Sequence, residues 1–403
     1  MVPRRSGKRA RDRTSERSAP PASGKHSPDE ATPGTTGEPE ALSVTHSFDS
    51  GTDGDPYAAT VRFSGSRIGV RGKGGPRDSF TKQETVKGIV PGSGRVSITT
   101  WVYGLNPGAW KVTAELVGGP TEGSWRRALR PRQRSGTPLP RAAWSWWRWS
   151  LVPGAFGPVA TRWAPLVRLT PMPAVVRGSW SSLIAVGTLV GIIVQTSLLS
   201  RDGISIGETL LVDLAAVVAG LVGAKLWYVA LRPGEWRRRI GEGFSVDGSI
   251  VAGPVAGVVA MLALDLPVGA VLDASTPAFF VGMAIGRLGC FLTGCCAGRC
   301  TRARWGVWSS DRRVGARRIP AQLLESGIAI VIAIATLLLA ARPAAPLAGA
   351  VFVGGAAAYI LARQWLLRLR AEPRAPSIAQ PLTAGVAAVV LIADAVVILA
   401  GTV

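Results

Sequence analysis

The residues best able to do chemistry crowd into one stretch, Gly286-Arg287-Leu288-Gly289-Cys290-Phe291-Leu292-Thr293-Gly294-Cys295-Cys296-Ala297-Gly298-Arg299-Cys300-Thr301. It carries all four cysteines of the chain, spaced C-x4-C-C-x3-C, and an arginine, Arg287, within an apolar run. A guanidinium at membrane depth is costly and is read as functional by default. An ion pair with Asp273, earlier in the same run, is the structural alternative. The two readings are compatible, since a carboxylate can aim a guanidinium. Four thiols could hold zinc, but adjacent ligands at this spacing suit it poorly, so no metal is expected. Thiol redox chemistry stays open beside the preferred reading, small residues packing a helix–loop junction. Glu325 stands beside Gln322 at the head of the next apolar run. It pairs with a site arginine or serves as a plain N-terminal helix carboxylate. The only histidines are His26 and His46, so a histidine mechanism in the C-terminal half is excluded. Asp213 and Asp394 are assigned no role.

Such residues need long apolar elements to position them. The chain has 403 residues and a formal charge of +21, yet 47% of it is hydrophobic and its mean hydropathy is +0.26. That combination excludes a purely soluble enzyme and a wholly disordered basic protein. The apolar residues concentrate after about residue 180, in runs near 181–199, 209–231, 249–264, 268–292, 321–341, 345–362 and 380–401. Each is long enough, or nearly so, to span a bilayer, which predicts seven spans. The third is short and contains Gly253 and Pro254, so a broken or tilted span is expected there. Alternate connections carry Arg232, Arg237, Arg238 and Arg239, then Arg299 to Arg318, then Arg363 to Arg374. The positive-inside rule places that face in the cytoplasm. A site handling phospholipid phosphate explains the same arginines, and composition does not choose between the two.

The N-terminal half divides differently. Residues 1–43 are rich in Pro, Gly, Ser, Arg and Glu and read as a disordered basic tail. No apolar h-region is present, so no signal peptide is expected. Arg4, Arg5, Lys8, Arg9, Arg11 and Arg13 could touch nucleic acid or anionic lipid. A solvated tail is preferred, and no nucleic-acid partner is expected. Residues 44–118 read as a small β-domain. Val96, Ile98, Thr100 and Val102 alternate, as do Trp110, Val112, Ala114 and Leu116. The turn Tyr103-Gly104-Leu105-Asn106-Pro107-Gly108-Ala109-Trp110 resembles the last corner of fibronectin type III and immunoglobulin-like sandwiches, where an aromatic plugs the core. Trp110 takes the place usual for tyrosine. Residues 119–180 form a basic, proline-broken linker. Its Trp144-Ser145-Trp146-Trp147-Arg148-Trp149 suits the lipid headgroup layer.

The central stretch, followed by Trp305-Gly306-Val307 and Arg318-Ile319-Pro320-Ala321-Gln322-Leu323-Leu324-Glu325, resembles the prolipoprotein diacylglyceryl transferase family. The family pattern is G-R-x-G-N-F-x-N-G-E-x-x-G-R-x-T, then W-G-V, then R-H-P-x-Q-L-Y-E. Leu272-Asp273 with Pro277 and Gly282, and Gly223-Ala224-Lys225-Leu226, match further motifs, and the resemblance spans about residues 180–400. Cys290 and Thr293 replace the two asparagines, Cys295 the glutamate, Ala252 and Ile319 two histidines. Leu367 replaces the glutamate of an R-x-x-x-E-x-x-R pattern that begins at Arg363 and ends at Arg370.

The resemblance implies a multi-pass enzyme of the bacterial plasma membrane. It would move the diacylglyceryl group of phosphatidylglycerol to a cysteine thiol of a lipoprotein precursor, without a cofactor. Arg287, Arg370 and Arg299 are then the candidates to grip phosphate, since a planar guanidinium binds its oxygens bidentately. Asp273 would orient Arg287 and Glu325 would support the site. Gly298, Gly286, Arg363 and Gln322 join the substrate-binding set. The alternatives are a lipid-binding or scaffold protein of the same fold, and a membrane thiol-redox protein. The expected fold is all-α and polytopic with about seven transmembrane helices, plus a small β-sandwich-like domain and the basic tail.

Overall fold

The structure is a computed structural model, and it describes residues 40–118, 137–145, 150–170, 172–231, 245–342, 347–371 and 379–400. The arginines and lysine named in the tail, Trp146 to Trp149, Arg232, Arg237 to Arg239 and Arg374 lie outside the described residues.

Five long strands follow the expected alternation: β1 (Glu40–Asp49), β2 (Tyr57–Arg67), β3 (Ser79–Ile89), β4 (Arg95–Tyr103) and β5 (Ala109–Gly118). β1 starts ahead of the expected boundary at residue 44. Short strands come next, in the segment read as a proline-broken linker: β6 (Thr137–Pro138), β7 (Pro140–Ser145), β8 (Ser150–Phe156), β9 (Val159–Ala160) and β10 (Arg162–Trp163). Two more lie in the loop that follows the central stretch, β11 (Val307–Ser310) and β12 (Val314–Arg318). One sheet runs β10-β1-β4-β12-β11. The other runs β3-β2-β5-β6, with β9 also on β5, and β7 and β8 form a separate hairpin.

The sandwich core takes Leu42, Val44, Phe63, Ile98, Trp110 and Val112 from the N-terminal strands, and Val314 and Ala316 from β12. Trp110 is fully buried, and its indole N–H donates back to the Asn106 carbonyl, 3.3 Å away. The aromatic plug expected at this corner is therefore in place, closed by a backbone bond. Some 75 residues are few for a sandwich, and the borrowed strands make up the deficit. Val314 pairs with Ile98 and Gly315 with Ser97. The Thr99 N–H donates to the Arg313 carbonyl at 2.9 Å, Trp308 Nε1 donates to the Arg95 carbonyl at 3.1 Å, and Arg313 pairs with Glu84.

His46 on β1 is 7% exposed and its Nε2 has no hydrogen-bond partner. Burial pulls its pKa down from 6.5 to about 4, because a charged ring would lose water and gain no partner. Between those values the unfolded chain binds a proton that the folded chain does not, so stability falls as pH drops from 6.5 to 4. The full effect is about 3 kcal/mol. Thermal melts of the full chain followed by tryptophan fluorescence should show it. The difference between wild type and His46→Leu is expected to grow across that window and level off below it.

A short helix, α1 (Ala164–Leu169), leads to the membrane half. That half consists of α2 (Ser179–Arg201), α3 (Ile206–Ala230), α4 (Val246–Ala263), α5 (Val268–Thr293), α6 (Ala321–Ala340), α7 (Ala350–Leu367) and α8 (Ala379–Ala400). Six of the seven are long and apolar enough to cross a membrane, and α4 is the shorter apolar helix. The seven expected runs each form a helix. The expected break in the third does not occur: α4 runs unbroken through Pro254. Small residues let backbones approach closely, as membrane helices require. A Cβ at Gly187 of α2 would stand 2.7 Å from the Gly282 carbonyl oxygen of α5, and one at Gly223 of α3 would stand 2.7 Å from that of Gly248 in α4.

A three-arginine cluster around Glu325

Three helices deliver ionisable groups to one point near the end of the bundle that faces the sandwich. Arg287 lies about 9 Å before the end of α5, Glu325 about 6 Å into α6, and Arg363 about 6 Å before the end of α7, at 1.5 Å per residue. Arg370 follows α7. Glu325 is 2% exposed. Its Oε1 accepts from Arg287 Nη2 at 2.8 Å and Arg363 Nη1 at 3.0 Å. Its Oε2 accepts from Arg370 Nη2 at 2.9 Å. The Tyr359 hydroxyl donates to Oε1 at 2.7 Å and receives Arg363 Nη1 at 3.1 Å.

One carboxylate thus faces three guanidiniums, an excess of two positive charges. Buried charge on this scale requires compensation, and each arginine has donors to spare beyond the single bond to Glu325. Arg287 and Arg363 retain 17% and 33% side-chain exposure. The cluster can therefore take an additional anion with several acceptor oxygens.

The loop after α5 closes over this point. The Arg299 N–H donates to the Leu369 carbonyl, Ala371 N–H to Ala297, and Ile319 N–H to Arg299, each at 2.9 Å. Gly298 bridges Arg370, and Cys300 bridges Arg318. Arg318 is buried. Its Nη1 donates to the Gly298 carbonyl at 3.2 Å and its Nη2 to Asp311 Oδ2 at 2.7 Å. One continuous set of backbone bonds therefore runs from sandwich strand β4 through β12 to Gly298 and Arg370.

The structure brings together Arg287, Glu325, Arg363 and Arg370, and it corrects other expectations. Asp273 does not orient Arg287. The two are fourteen residues apart on one helix, about 21 Å. Asp273 instead accepts the N–H groups of Gly349 (2.8 Å) and Phe352 (2.9 Å), capping the start of α7 at the opposite end of the bundle. Gly286 packs against Ile184 of α2 and is a helix-contact residue. Arg299 does not reach Glu325; its Nε donates to the Arg370 carbonyl at 3.2 Å. Gln322 donates to the Cys295 carbonyl at 2.8 Å, pinning the loop to α6. Gly298 has no room for a side chain, since a Cβ would overlap the Ile319 carbonyl oxygen.

Two participants escaped the sequence reading. Tyr359 lies four residues before Arg363, on the same helix face, and that spacing was the available signal. Arg318 was seen only as part of a motif. No disulfide joins the cysteines, and among the described residues no group of His, Cys, Asp or Glu is arranged to hold a metal ion.

Residues 171–401 match the family model described as prolipoprotein diacylglyceryl transferase. A protein of Clostridium tetani named phosphatidylglycerol–prolipoprotein diacylglyceryl transferase is 27% identical over 135 residues, 32% of this chain and 54% of its own length. One of the same name from Dehalococcoides mccartyi is 34% identical over 102 residues, 24% of this chain and 38% of its own. Another, from Rhodococcus jostii, is 27% identical over 160 residues, 36% and 44% respectively. The chain thus spans about half, or less, of the length of these relatives.

Proposed function

Because the chain belongs to the prolipoprotein diacylglyceryl transferase family, as a multi-pass protein of the bacterial plasma membrane, we propose that its membrane half moves the diacylglyceryl group of phosphatidylglycerol to the thiol of a lipoprotein-precursor cysteine. The observation that carries this reading is the excess of two positive charges around Glu325. The phosphodiester of the donor lipid brings the anion that the cluster lacks. The acceptor sulfur attacks the glyceryl carbon next to the phosphate oxygen. A thioether forms, that carbon–oxygen bond breaks, and glycerol phosphate leaves carrying the proton lost by the thiol. Arg287, Arg363 and Arg370 hold the phosphate oxygens and stabilise the charge that gathers on them. Glu325 keeps the three guanidiniums converged, and Tyr359 ties Glu325 to Arg363. A thiol needs little help to ionise near neutral pH compared with an alcohol, which fits a membrane half without histidine.

The test is a membrane assay with labelled phosphatidylglycerol and a peptide bearing the precursor cysteine. Wild type should transfer label to the peptide. Arg287→Lys and Arg370→Lys keep the charge and lose the fork, and each should lower transfer at least a hundredfold, about 2.7 kcal/mol of transition-state stabilisation, in protein that still folds. Absence of transfer by wild type overturns the reading. A second reading, lipid binding without turnover, draws on Ala252 and Ile319 at the positions of the family's histidines. Co-purified phosphatidylglycerol with no label on the peptide would favour it.

A further inference from the structure

Three of the four thiols meet at the end of α5. Cys295 N–H donates to the Cys290 carbonyl at 3.1 Å and Gly294 N–H to the Phe291 carbonyl at 3.3 Å, with Gly294 at φ +72°. These nested bonds are the glycine-capped helix end that folds the chain back on its last turn. They set two residues five apart side by side. The Cys295 thiol reaches the Cys290 carbonyl at 3.6 Å. Arg287 lies three residues earlier on α5, on the same side of the helix as Cys290. Hydrogen bonding, to Cys290 above all, pushes the Cys295 thiol up and keeps it a donor. Cys300 stands apart. It packs against the sandwich core, and burial pushes its thiol up.

We propose that Cys290 and Cys295 form a redox-active dithiol beside the arginine cluster, and that its substrate is a small or peptidic disulfide. The Cys290 sulfur attacks one sulfur of the incoming disulfide. That S–S bond breaks, and the first thiol leaves with the proton from Cys290. Cys295 then attacks the mixed disulfide at Cys290, the protein S–S bond forms, and the second thiol leaves with the proton from Cys295. The chain loses two electrons to one disulfide, which becomes two thiols. This site stands whether or not the membrane half transfers diacylglyceryl groups.

The full-length protein in phosphatidylglycerol nanodiscs is incubated with excess hydroxyethyl disulfide, denatured, alkylated and mapped by mass spectrometry. Wild type should lose two of its four alkylations and show a Cys290–Cys295 crosslink, with Cys300 alkylated. Cys295→Ser should stall with one mercaptoethanol adduct on Cys290. Cys300→Ser should oxidise as wild type does. Four alkylated cysteines in wild type, a crosslink through Cys296 or Cys300, or a Cys295→Ser protein without the adduct would overturn the proposal.

Discussion

Glu325→Gln is expected to damage both folding and turnover more than any other single change in the membrane half. The carboxylate is the shared partner of three arginines, and it is almost wholly buried. Removing its charge raises the local excess from two to three positive charges and leaves three guanidiniums, one buried and two partly exposed, without a counter-ion. Breaking a buried pair by deleting one partner costs about 3–5 kcal/mol, and here one deletion breaks three pairs that share a residue. Thermal melts in detergent should show a large drop, and diacylglyceryl transfer should fall below detection. Combining Glu325→Gln with Arg363→Gln removes one of the stranded charges. It should recover part of the melting temperature and none of the turnover. A Glu325→Gln protein that melts and turns over like wild type would mean that the arginines are held by something else.

The second large effect is expected at a residue with no side chain. Gly298 sits where the loop crosses back over the site, with the Ile319 carbonyl against its Cα and the Arg370 backbone alongside. In Gly298→Ala the methyl group overlaps a backbone oxygen, which cannot turn away as a flexible side chain would. Overpacking of this kind costs about 1–3 kcal/mol. The larger consequence is displacement of Arg370, since a 1 Å misplacement can cost about a hundredfold in rate. The expected result is a transfer rate down by about that factor with the protein still folded. Near-wild-type turnover would show that the loop adjusts without moving Arg370.

The loop that crosses the site is also bound to the sandwich by its backbone. β12 is at once a sandwich strand and the return arm of the loop that carries Arg318. The strand order ties the N-terminal domain to the site by hydrogen bonds, and Val314 and Ala316 commit that loop to the sandwich core.

The helices were legible residue by residue, because spans are specified by local composition: about twenty apolar residues in a row suffice wherever the rest of the chain goes. The alternating strands and the Trp110 corner were legible for the same reason, their signals being period two and a nearby turn. Convergence on Glu325 was only half visible. The family resemblance implied Arg287, Arg370 and Arg299 for phosphate, Arg363 beside them and Glu325 as a support, but that three arginines share this one carboxylate while Arg299 does not depends on how α5, α6 and α7 rotate and slide against one another. Asp273, expected to orient Arg287, shares a helix with it, and distance along that helix rules this out. The borrowing of β11 and β12 left almost no trace in the sequence. Strand pairing between distant segments is made by backbone N–H and C=O groups that every residue carries, so only the folded chain reveals which edge accepts which strand.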